Sequence, residues 1–292
     1  MHMNLKRQKD NRSSSYLVSD CLTKQLLGKE RLNGKVDSIF EHGFNLIIQD
    51  QLIFVGTDAD NLSAFGMVIP NQVMWEIKNT IEIGQQVKIQ TNRLGNNQLS
   101  ITWTLYIRPN PVQINMERVA IIGTKLSKLS VVDFIEADII TALTKAGVWQ
   151  ESGFSANEDL AERYRDLLEE WDNDVAQSLI GAGIGLTPSG DDFLQGYMMM
   201  ALITGRDDYH VIPAIQRGLE QRSTTLVSET YYKILFAGHL NYSWIKFFDA
   251  VLANDINRVH GAIKQIQQYG ATSGNDILLG VQAFLKEYLK AN

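Results

Sequence analysis

Residues 181–196 read Gly-Ala-Gly-Ile-Gly-Leu-Thr-Pro-Ser-Gly-Asp-Asp-Phe-Leu-Gln-Gly, and no other stretch of the chain limits its fold as tightly. Glycine at every second position (Gly181, Gly183, Gly185) holds neither a helix nor a strand well, and suits a backbone that turns sharply and admits a close neighbour. Thr187-Pro188-Ser189 then closes the loop. Ser189 is placed to cap a new helix, with Asp192 three residues on as its capping partner. From Phe193 to Ile203 the chain is almost wholly apolar, which predicts a buried helix. The pattern Ser-Gly-x-Asp-x-Leu-x-Gly occurs a second time, at Ser273 to Gly280 after Thr272. Two helix N-termini of one construction are therefore expected, brought near each other by the fold.

The rest of the chain predicts an α+β protein. Residues 1–27 begin charged and then form a short element around Tyr16 to Leu27. Residues 28–111 read as a small, mostly antiparallel β domain, barrel-like or sandwiched. Short branched or aromatic runs (Val36 to Phe40, Phe44 to Ile48, Leu52 to Val55) are split by turn residues, and a hairpin pattern spans Val87 to Leu105 with a turn at residues 94–97. After Pro109-Asn110-Pro111 everything reads as helix, so residues 113–292 are expected to be an α-helical domain. In it, Ser155 to Glu158 form a capping box that opens one amphipathic helix running to Gly181. Later helices are expected at 189–204, from Pro213, from Arg222 through Ser228 to Gly238, and at 241–252, 255–268 and 273–289.

With 292 residues the chain can bury a sizeable core, and its 45% hydrophobic and 21% charged content is that of a globular protein. A net charge of −6 argues against a general nucleic-acid binder. Cys21 is the one cysteine, so no internal disulfide forms, which fits a reducing cytoplasm. The polar N-terminus carries no apolar signal core, and the apolar run from Tyr197 is far short of the ~20 residues that span a bilayer. No nucleic-acid or membrane partner is expected. His42, His210, His239 and His260 lack metal-ligand spacing, and Met198 to Met200 read as core.

The chemistry is expected at the two repeats. A helix N-terminus offers unpaired N–H groups and roughly half a positive charge, and a glycine-rich lead-in lets it hold phosphate or carboxylate. Asp191 and Asp192 at the same end would repel such an anion. Three resolutions stay open: a magnesium ion bridges Asp191, Asp192 and the ligand; the aspartates only hold the loop; or Asp192 accepts hydrogen bonds from a carbamoyl NH2. Gly183, Gly185, Ser189, Gly190, Ser273 and Gly274 are the candidate contacts to an anion, with Thr187 and Thr272 beside them. Asp192 and Asp276 are the candidate catalytic pair, and Thr224, Thr225 and Ser228 the lining of the pocket. A purely structural reading, two well-capped helices, competes with this. The glycine triplet follows a helix, not a strand, so it is no dinucleotide fingerprint.

The long first motif, Thr224-Thr225-x-x-Ser228 and Thr272-Ser273-Gly274-x-Asp276 together resemble the signature of a bacterial family long described as a domain of unknown function. Members of that family include a subunit of the oxamate carbamoyltransferase of anaerobic allantoin (purine) degradation. The resemblance implies phosphate-dependent conversion of oxalurate to oxamate and carbamoyl phosphate, carried out in an oligomer with other, different subunits. It also implies a fold unlike that of the aspartate and ornithine carbamoyltransferases, whose Ser-Thr-Arg-Thr phosphate motif is missing here. A second expectation, from another class, is a non-catalytic subunit that binds a small carboxylate or phosphate and regulates.

Overall fold

A computed structural model describes residues 16–26, 31–94, 98–105 and 112–291. The chain divides into two compact units, the first running through Lys125 and including His239–Tyr242, the second comprising Leu126–Gly238 and Ser243–Asn292.

The first unit is a closed barrel. Its elements are β1 (Leu17–Ser19), α1 (Asp20–Leu26), β2 (Leu32–Phe40), β3 (Gly43–Ile48), β4 (Gln51–Gly56), a 3₁₀ turn (Ala59–Asn61), β5 (Gly66–Val68), α2 (Asn71–Lys78), β6 (Gln86–Leu94), β7 (Gln98–Leu105) and β8 (Val112–Ile122). The strand order around the barrel is β1-β5-β4-β3-β2-β6-β7-β8. Gln49 and Asp50, both at positive φ, make the two-residue hairpin between β3 and β4, as strand twist favours. The sheet is mixed, which corrects the mostly antiparallel expectation. β5 runs parallel to β4, and β1 runs parallel to β8. The reason lies in the connections. β4 and β5 are joined through the Asp58-capped 3₁₀ turn and not through a tight hairpin, so β5 can return in the same direction. The sheet also extends to Ile122, past the point where the sequence reads as helix. The hairpin turn at 95–97 and the Pro109–Pro111 boundary lie outside the described residues. Val18, Val36, Phe44, Leu46, Val55, Ile89 and Ile101 fill the barrel core. Thr124 Oγ1 donates to Asp20 at 2.6 Å and lies 3.0 Å from His239 Nδ1, so His239 is a buried structural residue.

The second unit is helical: α3 (Val131–Glu136), α4 (Ile139–Lys145), α5 (Glu158–Glu169), α6 (Asn173–Ser178), α7 (Ser189–Thr204), α8 (Val211–Gln221), α9 (Leu226–Phe236), α10 (Tyr242–Leu252), α11 (Ile256–Gln267) and α12 (Ser273–Ala291). Two local expectations are corrected. The cap of α5 is Asn157, whose side chain accepts from Leu160 N–H, while Ser155 bonds back to the carbonyls of Gln150 and Ser152. The single long amphipathic helix is two, because Asp172 caps a new start at α6. As expected, α7 is buried nearly all round, and Gly205 ends it in the left-handed conformation.

The centre of this unit is the crossing of α7 and α12, and the repeat explains it. The last glycine of each copy faces the backbone of the other helix. A Cβ at Gly196 would stand 2.0 Å from Ile277 O, and one at Gly280 would stand 2.0 Å from Phe193 O. Phe193 and Ile277 occupy the same place in their copies, so the contact is reciprocal. The second glycine of each copy serves alike: a Cβ at Gly190 would meet Leu179 O at 2.1 Å, and one at Gly274 would meet Ile266 O at 1.9 Å. Phe193 then packs on Phe154 at 5.2 Å, and Tyr197 stacks on Trp171 at 4.0 Å. Gly261 is the contrast, an exposed residue inside α11 whose Cβ would meet nothing within 4 Å. Gly261→Ala is expected to stabilise by about 0.5–1 kcal/mol, read as a rise in the urea midpoint at unchanged m-value.

Candidate functional site

The close crossing brings the first turns of α7 and α12 together, and their side chains interlock across the repeat. The Ser189 hydroxyl lies against the Asp276 carboxylate, and the Ser273 hydroxyl lies against Asp192. Thr187 also faces Asp192, with its Oγ1 2.7 Å from Ser273 Oγ. Each copy's serine thus addresses the other copy's aspartate. Ser189 is free to do this because Pro188 occupies the N-cap position of α7, which corrects the expectation that Ser189 caps the helix. Asp276 Oδ1 also accepts the Gly153 N–H at 2.9 Å.

Asp191 has a different task. Its Oδ1 accepts from Gly181 N–H and from Tyr232 Oη, both at 3.1 Å, and its Oδ2 accepts from Thr224 Oγ1. It therefore ties the glycine-rich loop to α9. Thr225 caps α9 by accepting from Ser228 N–H, and its own hydroxyl donates to Leu186 O. The loop glycines all have positive φ, and Gly183 sits so close to Ser189 N that a Cβ would stand 2.7 Å away. Gly183, Ile184, Gly185 and Leu186 form an exposed lip. Gly190 and Gly274 donate their N–H groups to the carbonyls of Ala182 and Tyr269, so both spend them on their own chain. Both oxygens of Asp191 accept from protein donors. Among the described residues no three His, Cys, Asp or Glu side chains are grouped to hold a metal.

Burial sets the protonation of this cluster. It pushes the Asp192 carboxyl well above the usual carboxylate range, the hydroxyls of Ser273 and Thr187 oppose it, and neighbouring Asp276 reinforces it. Asp276 is raised by burial to about 6, against the pull of Ser189, Thr272, Gly153 and Phe154. Asp191 is raised by burial too, and the Tyr232 hydroxyl is raised by burial and by Asp191. The ion pairs found among the described residues lie elsewhere. A carboxyl whose folded pKa exceeds its unfolded value binds more protons in the folded state, so its favourable contribution is complete below about pH 4 and lost as pH rises through the folded pKa. For Asp276 that window is pH 4 to about 6, and the cost above it is roughly 3 kcal/mol. Asp276→Asn is expected to flatten the fall in stability across this window. Urea midpoints at pH 4.5 and 7 check it, and an equal difference from wild type at both pH values would sink it.

Four buried side-chain atoms among the described residues have no hydrogen-bond partner: Asp192 Oδ2, Asp276 Oδ2, Gln195 Nε2 and Ser228 Oγ. Asp192 and Asp276 belong to this cluster, Ser228 lies against Asp191, and Gln195 stands one turn of α7 beyond Asp192. Buried polar groups are nearly always bonded, so four unpartnered ones are uncommon. The two repeats meet as the sequence predicts, and Gly153 and Tyr232 join them, with Gln195 one turn along α7, without being predicted. Gln195 stood inside the motif, whereas Gly153 and Tyr232 carry no local signal.

The family described as oxamate carbamoyltransferase subunit AllH matches residues 179–285, which hold both repeats and the Thr224 cluster. The AllH family N-terminal domain matches residues 13–119, the barrel. No solved structure matches the chain. No helix of the described residues is long and apolar enough to cross a membrane. Matched in both its barrel and its two-repeat helical unit, the chain belongs to the AllH family, the family of an oxamate carbamoyltransferase subunit.

Proposed function

We propose that this chain, as one subunit of an oxamate carbamoyltransferase, holds the carbamoyl group while oxalurate and phosphate become oxamate and carbamoyl phosphate. The observation that carries the reading is the reciprocal pairing of Asp192 with Ser273 and of Asp276 with Ser189, which leaves one buried oxygen of each carboxyl unpartnered. In the reaction a phosphate oxygen attacks the ureido carbonyl carbon and the bond from that carbon to the oxamate nitrogen breaks. The departing nitrogen must gain a proton. Asp192, whose burial favours the protonated form, is the donor, and is recharged by the proton that monohydrogen phosphate gives up on attack. Asp276, raised only to about 6, is ionised at neutral pH and accepts from the carbamoyl NH2. Ser189, Ser273, Thr187 and Thr272 orient the two carboxyls. Asp191, Thr224 and Thr225 fix the glycine-rich loop that rims them. The phosphate takes its countercharge from the other subunits, which are the partners of this chain.

The near-complete burial of Asp192 and Asp276, 1% and 0% exposed, favours a second reading in which the site binds a small amide or carboxylate and regulates turnover elsewhere. Oxamate release by the assembled enzyme decides between them. Ser273→Ala is expected to lower kcat about tenfold, the scale of one lost orienting hydrogen bond. If Ser273→Ala changes oxamate binding but leaves kcat untouched, the regulatory reading replaces the catalytic one.

A further inference from the structure

We infer that Gln195 and Ser228 are specificity-determining residues that receive the carboxylate end of a ureido acid whose carbamoyl end lies on Asp192 and Asp276. The inference rests on the functional reading above and extends it from a group to a whole ligand.

Three observations lead to it. The first is a break in the symmetry of the repeats. Serine, glycine, aspartate, leucine and the last glycine match between the copies, but Gln195 has Leu279 as its counterpart and Asp191 has Asn275. Asn275 Oδ1 is satisfied by Gln267 Nε2 at 2.8 Å, whereas Gln195 Nε2 is bonded to nothing among the described residues. The second is position. Gln195 comes four residues after Asp191 and three after Asp192, so on α7 it lies on the side of both. Asp191 points from that side to Tyr232 and Ser228 of α9. The third is chemistry. Gln195 is 94% buried by its 6% exposure and Ser228 is fully buried, yet each keeps a hydrogen-bonding atom unused. Gln195 Nε2 can only donate, and Ser228 Oγ can donate too. Gln195 Nε2 is an unused donor, and the Ser228 hydroxyl leans on Asp191 without completing a hydrogen bond to it; both can turn to an acceptor, which a ligand carboxylate or the carbonyl next to it supplies. The unused oxygens of Asp192, a donor while protonated, and of Asp276, an acceptor, form the other pole and suit a carbamoyl group. A ligand with an amide NH2 at one end and acceptor oxygens at the other fits this polarity, and a symmetric dicarboxylate does not.

The experiment compares two substrates of the assembled enzyme. Oxalurate carries both ends; carbamoyl phosphate, used in the reverse direction with saturating oxamate, carries the carbamoyl group without the carboxylate. Gln195→Met is expected to raise the KM for oxalurate at least tenfold while leaving the KM for carbamoyl phosphate within about twofold. Ser228→Ala should move the same way. Neither variant should lose its fold, because taking away an unpartnered buried polar atom is neutral or stabilising, so the melting temperature should hold or rise. Gln195→Glu, with an acceptor in place of the donor, should be worse for oxalurate than Gln195→Met. Equal changes in both KM values, or none in either, overturns the inference. Asp192→Asn run beside them separates the two levels: if it keeps full activity, the functional reading fails, and if it is inactive while Gln195→Met is unselective, only the present inference fails.

Discussion

Gly280→Ala is expected to be among the most destabilising single-methyl additions the chain can suffer, costing about 3–5 kcal/mol, where overpacking usually costs 1–3. The added Cβ would stand 2.0 Å from Phe193 O and 2.8 Å from Tyr197 N. Both are backbone atoms of α7, so no side chain can swing away, and the two helices must separate. Separation strips contacts from Phe193 and Tyr197, whose rings also pack on Phe154, Trp171 and Phe284. Domains of ordinary stability hold only about 5–15 kcal/mol in all. Gly196→Ala should cost a similar amount through Ile277 O. The double variant should cost less than the sum, because helices already parted for one methyl have room for the second. Chemical denaturation measures all three. A loss under about 1 kcal/mol for Gly280→Ala, or strict additivity, would mean the helices do not cross at these glycines.

Asp192→Asn is the second large effect, this time on chemistry. Asparagine keeps the shape and size of the side chain but cannot give up an acidic proton. In the assembled enzyme it is expected to lower kcat about 10³-fold, within the range of a lost general acid. Stability should hold or improve, because a carboxyl held far from its usual pKa by burial is replaced by a neutral group. Asp276→Asn should lose the acid limb of the kcat/KM profile near pH 6, the value to which burial raises that group. A variant that is inactive because it is unfolded would show in the melting curve and would not count.

What the sequence made legible was the local grammar. The repeated Ser-Gly-x-Asp predicted two helix starts, the apolar run after Asp192 predicted a buried helix, and both stand where expected. The glycine pattern announces conformational freedom. For Gly190, Gly196, Gly274 and Gly280 the structure adds the close approach of another stretch of backbone, which the sequence does not name. Ser189 read as a cap because Ser followed by Asp three residues on fits that pattern; Pro188 takes the cap position and turns the hydroxyl to another use. β8 was hidden behind the two prolines, which resemble a boundary between domains, although the barrel continues beyond them to Ile122. Gly153 and Tyr232 reach Asp276 and Asp191 from far along the chain, and neither lies in a periodic or repeated pattern that could announce it.

On this reading the two repeats form one site and not two capped helices. A double-mutant cycle on kcat/KM for oxalurate, using Asp192→Asn, Asp276→Asn and the double variant in the assembled enzyme, tests it most directly. If the carboxyls act on one ligand, the double variant should fall within about threefold of the worse single one, as groups that work as a unit do. If the two losses multiply, or if neither single variant loses activity, the repeats do not act together and the account is contradicted.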